Sequence, residues 1–334
     1  MPDRDDEHLL RRIARLYWLE DKDQSEIGAL LGMSKSTVSR KLTAARAAGI
    51  VQVTVVGAEK VERATSLEHE LLRRLPLRDA FVADPDPGVE PLRDVGRLAA
   101  DVFADRAPRA RRIGVSWGST IAALADSVPQ LALHPDTVLT PIVGGMPSVD
   151  TGASGNHVII SLAQSCGVRA HRVDAPAVVE SPATQAALLR ESSVAASLDF
   201  ARGCDLAFVG IGAFGTGTSQ QVLRAMRFTP DELDQIQAVH PVGDVLGRFF
   251  DESGTPLGPP SSHRVIALDI EDLSAIPAVI GIAAGTEKTR GVLGAIRSGA
   301  FDGLVVDREL AVSLIAAAGS LSSSGGLGTT RTTS

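Results

Sequence analysis

The sequence predicts an α/β protein in which a small helical domain precedes a mostly parallel sheet. Three observations carry this. Residues 23–42, DQSEIGALLGMSKSTVSRKL, encode two short helices around a glycine turn. After Pro76, short apolar runs alternate with helical patterns, as in a parallel sheet covered by helices. Runs such as LAFVGIG are apolar almost throughout, as strands buried on both faces are.

The helical domain spans residues 1–56. A first helix, about Glu7 to Glu20, supplies Leu9, Leu10, Ile13, Leu16 and Tyr17 as support. Asp23 followed by Glu26 fits a capping box at the start of the next helix. Ile27, Leu30 and Leu31 fall at helical spacing and predict its buried face. Gly32 can take the left-handed backbone that ends a helix, and Ser34 is a natural N-cap for the one that follows. In that third helix Val38 and Leu42 point inward. Lys35, Ser36, Thr37, Ser39, Arg40 and Lys41 are left outside. Small hydroxyls and an arginine on such a helix suit the DNA major groove. Ser36, Thr37 and Arg40 are the expected base contacts, with Lys35 and Lys41 on phosphates. From Met33 to Ile50 there are four basic residues and no acid. An ordinary helical hairpin with a solvated polar face is the alternative. The segment Ala48–Val55 reads as a short strand or wing.

Length and composition bound the rest. With 334 residues, 44% of them hydrophobic and 22% charged, the chain can hold two globular domains. Its formal charge of −7 argues against a general polyanion binder but leaves room for a local basic patch. Cys166 and Cys204 lack metal-ligand spacing and read as buried reduced thiols. Neither a signal-peptide pattern nor an apolar run near ~18 residues occurs, so a cytoplasmic protein is expected. No cofactor or metal is expected.

Residues 57–76, charged and helical from Glu59 to Leu75, read as a linker helix that connects the domains and could pair subunits. The second domain spans 77–318. Its strand candidates are Ala80–Val82, Arg112–Val115, Thr137–Pro141, Ala170–Ala175, Leu206–Gly210, Val265–Leu268, Ala278–Ile282 and Gly303–Val306, with helices such as Gly96–Arg106, Thr120–Ser127, Val158–Cys166, Lys288–Ser298 and Arg308–Ala318 between them. The Ser-, Thr- and Gly-rich segment 319–334 is expected to be a disordered tail.

Ligands of parallel sheets bind beyond the carboxyl ends of the strands, and glycine loops fall at those places. In IGVSWGST, a strand delivers Ser116, Trp117 and Gly118 to a helix that begins near Ser119 or Thr120, where backbone N–H groups suit an anion. It is neither a Walker loop nor a dinucleotide fingerprint. VGGM carries Gly144 and Gly145, VGIGAFG carries Gly210 and Gly212, and AAGTEK carries Gly285 and Lys288. Lys288 could neutralise a phosphate or pair with a sugar hydroxyl, or be a surface lysine. Asp244 could accept from sugar hydroxyls or serve a turn, and Asn156 could cap a helix or touch ligand.

These segments, in this order, resemble the SorC family of bacterial transcriptional regulators, the DeoR-like sugar-binding regulators, over roughly residues 8–318. The resemblance rests on SEIGALLGMSKSTVSRKL, IGVSWGST, PIVGGM, DAPAVV, CDLAFVGIG, VGDVLGRFFDESG and IPAVIGIAAGTEKTRGVLGAIRSGAFDGLVVD. It implies an effector domain similar in fold to sugar-phosphate isomerases and CoA transferases, commonly in tetramers. It also implies a phosphate cradle at Ser116–Thr120, ligand contacts near Gly144, Gly145 and Asn156, an acid at Asp244 and a base at Lys288. Ser119 stands where many relatives carry arginine or threonine, and the GGM loop offers no basic side chain, so a free sugar or polyol stands beside a phosphorylated one.

The leading expectation is a DNA-binding regulator, a homodimer or homotetramer, whose operator affinity is controlled by a sugar, sugar-phosphate or polyol effector. One rival is a sugar-phosphate isomerase-like enzyme carrying a DNA-binding domain. No acid–base pair of distinctive spacing and no nucleophile motif supports it. Another is a recruiting protein whose second domain binds no ligand.

Overall fold

The computed structural model describes residues 4–20, 22–48, 50–51, 61–84, 90–146 and 155–324. The chain divides into two compact units, Met1–Glu59 and Lys60–Ser334.

The first unit is built from α1 (Arg4–Trp18), α2 (Gln24–Leu31) and α3 (Lys35–Ala47). Asp23 caps α2 by accepting from the Ser25 and Glu26 N–H groups, while Glu26 accepts from the Asp23 N–H. Gly32 ends α2 at φ 65°, and Ser34 caps α3 through the Thr37 N–H. Ile13, Ile27, Val38 and Leu42 form one apolar cluster, and Leu10, Ala14 and Ala45 a second. Leu30 is a correction: it is 60% exposed, while Ile27 is fully buried and Leu31 half-buried. In a helix of eight residues only the narrow stripe through Ile27 meets α1 and α3. Residues 52–60, with most of the predicted wing, lie outside the described residues.

The second unit alternates helix and strand: α4 (Thr65–Arg74), β1 (Asp79–Ala83), α5 (Pro91–Arg106), β2 (Arg112–Val115), α6 (Ser119–Ser127), β3 (Val138–Pro141), α7 (Gly155–Cys166), β4 (Arg169–Ala170), α8 (Pro182–Arg190), α9 (Ser192–Arg202), β5 (Leu206–Ala213), α10 (Gly217–Ala225), α11 (Pro230–Ala238), β6 (Gly243–Val245), β7 (Arg248–Phe250), α12 (Ile270–Ser274), β8 (Val279–Ile282), α13 (Thr289–Arg297), β9 (Gly303–Asp307) and α14 (Arg308–Ser324). Seven strands lie in the order β1-β9-β8-β5-β2-β3-β4, all parallel. Beyond Gly210, β5 continues into an antiparallel pairing with β6, which pairs with β7. Apolar clusters cover both faces. Phe208 and Val305 pack on one side, with Phe103, Ile121 and Leu162; their chain neighbours Ala207, Val209, Leu304 and Val306 pack on the other, with Val292 and Leu310.

Several boundaries differ from expectation. The predicted linker helix begins only at Thr65, because Arg63 bridges Ala83 and the Ala64 N–H donates to the Val82 carbonyl. It belongs to the second unit. Glu68, almost buried, receives both Arg63 Nε and Nη2 at 2.8 Å and the Val82 N–H at 2.9 Å, and Leu71 is fully buried. The strand expected over Ala170–Ala175 stops at Ala170. Residues Val265–Leu268 are extended but bridge the irregular segments around Val143 and Val178 in place of a strand. Helix α14 runs to Ser324, past the point where a disordered tail was expected; the remainder of that tail, 325–334, lies outside the described residues.

Because Leu71 packs in the core of the second unit, Leu71→Ala should destabilise that unit by about 2–5 kcal/mol. Denaturant unfolding measures this; a loss under ~0.5 kcal/mol, the range of ordinary surface substitutions, would return the helix to the role of a free connector.

Candidate functional site

Each unit presents one candidate site. On α3, Lys35, Ser36, Ser39 and Arg40 are exposed, and Thr37 and Lys41 half-buried. The hydroxyls gather at the helix start. Ser34 Oγ lies 2.9 Å from Ser36 Oγ and 2.8 Å from Thr37 Oγ1, and Arg40 Nη2 donates to Thr37 Oγ1 at 3.5 Å. The expected base contacts, Ser36, Thr37 and Arg40, are thus one connected group, with its arginine oriented by its neighbour. Arg46, the fourth basic residue, instead lies over the Trp18 ring at 5.3 Å.

The second site follows from strand order. From β2 the chain proceeds toward β3 and β4, and from β5 toward β8 and β9, so the connections diverge between β2 and β5. Ligands of open α/β sheets occupy the crevice at such a divergence. A cleft of about 900 Å³ lies there, lined by the β2–α6 loop, the end of β5, the start of α10, β6 and the β8–α13 loop. Ser116, Trp117, Gly118, Ser119, Thr120, Gly210, Gly212, Asp244, Gly285 and Lys288 all line it. Gly118 occupies the cap position of α6 at φ 120°, so no side chain covers the first-turn N–H groups. A Cβ at Gly210 would stand 3.2 Å from Thr120 Oγ1 and 3.3 Å from the Trp117 carbonyl, tighter than most packed contacts. The Gly210 N–H donates to Ser116 Oγ at 2.9 Å.

Asp244 is the most constrained group in the cleft. A Cβ at Gly212 would collide with its Oδ1. Its Oδ2 accepts from the Gly247 N–H at 3.3 Å, while Oδ1 is buried without a hydrogen-bond partner. Burial pushes its carboxyl above the usual carboxylate range, against the pull of Ser219, the Gly247 N–H and Lys288. Leu246 and Gly247, at φ 56° and 76°, form the two-residue turn between β6 and β7, and Leu246 lines the cleft. Lys288 opens one flank to the cleft and is only half-buried by surface area, yet enough protein surrounds it that burial lowers its pKa, opposed by Glu287, Asp244 and Asp307. The buried Asp307 accepts the Gly285 N–H through Oδ2 at 2.8 Å and the Leu310 N–H through Oδ1 at 2.9 Å.

Gly144, Gly145 and Asn156 are corrections: they lie beside the cleft and do not line it. The Gly144 and Gly145 N–H groups are taken by the Ile266 and Ala175 carbonyls, and Asn156, in the first turn of α7, faces Gly145. Their neighbours Met146, Val158 and Ser161 line the cleft instead. Sequence reasoning also missed Glu90, Asp126, Ser219 and Glu287. Only Ser219 had a signal, its place just after the glycine loop that ends β5. Burial pushes the thiols of Cys166 and Cys204 to about 11 and about 12, so both stay unreactive. Among the described residues no helix is long and apolar enough to cross a membrane, and no cluster of metal-ligating side chains occurs.

A helix-turn-helix unit followed by an α/β unit with an open cleft at its strand-order divergence defines a two-domain regulator architecture. The chain belongs to the Sugar-bind family, which it matches over residues 59–316. It is 28% identical to the sorbitol operon regulator of Klebsiella pneumoniae over 94% of this chain and all of that one. It is 27% identical to the transcriptional regulator LsrR of Enterobacter sp. (strain 638), over 94% of each chain. The crystal structure of the full-length sorbitol operon regulator SorC from Klebsiella pneumoniae superposes with a TM-score of 0.69 at 27% identity, covering 93% of this chain and 99% of that one. The resemblance to SorC-type regulators thus extends over both units.

The raised pKa of Asp244 gives a pH test. Its folded-state value lies above the unfolded one, so the native state binds the extra proton. The contribution to stability is fully present below the ordinary aspartate range and is lost as pH rises through the folded value. Asp244→Asn removes that loss. The variant should melt higher than the parent at neutral pH, the gap closing toward pH 4; a gap independent of pH across thermal melts would refute the assignment.

Proposed function

We propose that this chain is a DNA-binding transcriptional regulator whose operator affinity is set by a sugar, sugar-phosphate or polyol effector held in the cleft of its second unit. The observation that carries the reading is the combination, in one chain, of an exposed basic helix in a helix-turn-helix and an uncapped helix start opening into a cleft of about 900 Å³. The regulators to which it is similar are named for a sorbitol operon and for transcriptional control, which supports the same reading.

In this reading Ser36, Thr37 and Arg40 meet base edges, while Lys35, Ser39 and Lys41 hold the phosphate backbone. The first-turn N–H groups of α6, with Gly210 and Gly212 giving close backbone approach, hold one side of the effector. Asp244, Gly285 and Lys288 hold the other. Control requires the effector to bind one arrangement of the protein more tightly than the other, since equal affinity shifts nothing. The protein acts as a homodimer or homotetramer in the cytoplasm and binds its effector without turning it over.

The test uses an operator fragment selected from a random duplex pool. Arg40→Ala should cost about 1–3 kcal/mol of binding and relax preference at one base pair. Lys35→Ala should weaken all sequences alike and reduce the salt slope by about 1. Unchanged affinity and unchanged sequence preference in Arg40→Ala would remove α3 as the reading helix.

A further inference from the structure

Resting on the reading of the cleft as an effector site, we propose that its ligand is an uncharged polyol or free sugar and not a phosphate ester. Three buried polar atoms on residues lining the cleft lack a hydrogen bond of normal geometry: Asp244 Oδ1, Ser219 Oγ and Trp117 Nε1, the first two standing close enough that Ser219 pulls the Asp244 pKa down. The side chains that carry them are all more than nine-tenths buried. Buried polar groups are seldom left unpaired in native structures, so three around one cleft describe what completes it. Asp244 as a carboxylate offers only acceptors, Trp117 only a donor, and Ser219 either. A ligand with several hydroxyls meets all three, because each hydroxyl both donates and accepts. Phosphate oxygens at neutral pH chiefly accept, and they repel the carboxylate.

The part of the cleft where a phosphate would sit is short of free side-chain donors. Ser116 Oγ already accepts the Gly210 N–H and points toward the Trp117 carbonyl at 3.4 Å. Thr120 Oγ1 points toward the Ile282 carbonyl at 3.4 Å. Both hydroxyls face protein, leaving Ser119 and the backbone N–H groups of α6, which serve a hydroxyl oxygen as well. The charges favour the same conclusion. Among the described residues lining the cleft, Glu90, Asp126, Asp244 and Glu287 face one ammonium, Lys288. That lysine already stands among Glu287, Asp244 and Asp307. A phosphate dianion would enter a cleft whose lining is net negative, at a Coulombic cost that a neutral polyol does not meet.

The experiment titrates the full chain with matched pairs, each a neutral compound and its monophosphate: sorbitol, erythritol, ribose and fructose, with inorganic phosphate as competitor. Thermal shift and tryptophan emission report binding, Trp117 being part of the cleft. At least one neutral compound should stabilise the protein with concentration and bind about tenfold or more tightly than its ester, and inorganic phosphate should not displace it. Ser219→Ala should weaken that ligand about tenfold, with the melting temperature of the unliganded variant read alongside to separate lost binding from lost stability. An ester that binds more tightly than its parent, or competition by inorganic phosphate, would overturn the ligand class and leave the effector site standing. No binding by any member of either series would overturn both.

Discussion

The second unit is organised around the hydrogen bond from the Gly210 N–H to Ser116 Oγ. It ties the loop leaving β2 to the strand beside it at the point where the chain's two directions of travel across the sheet part. Glycine at 210 lets the Trp117 carbonyl and Thr120 come close without displacement. With that loop fixed, the first turn of α6 opens to the crevice through Ser119 while Thr120 and Ile121 pack against β5. Gly212, two residues on, repeats the device on the other side by making room for the Asp244 carboxylate.

What could be read from the residues alone divides by how local the cause is. The helix-turn-helix was legible because each part acts within a few residues: the Asp23 cap, the left-handed Gly32, the Ser34 cap. Leu30 misled because periodicity says which residues share a face, not how much of that face a neighbour covers. The central strands were legible as apolar runs. The β6–β7 hairpin was not, since its turn uses Leu246 in a left-handed conformation where the usual signal is asparagine or aspartate before glycine. Val265–Leu268 has the composition of a strand but finds its partners in irregular backbone.

The site followed the same division. Glycines at strand ends pointed to the cleft, and Gly118, Gly210, Gly212 and Gly285 line it. They failed at Gly144 and Gly145, where the missing side chains serve backbone pairing: a Cβ at Gly144 would strike the backbone around Pro176. Glu90 and Asp126 line the cleft but have no local mark in the sequence. Whole-chain charge was equally silent about the DNA-facing side, because a net charge of −7 hides an acid-free stretch from Met33 to Ile50.

Asp307 gives the molecule an unexpected mechanical link. One carboxylate grips the Gly285 amide at the rim of the cleft and, with its other oxygen, the first turn of the final helix. A change that unwinds the start of α14 would loosen that grip and so be transmitted to ligand capture at the Gly285 rim.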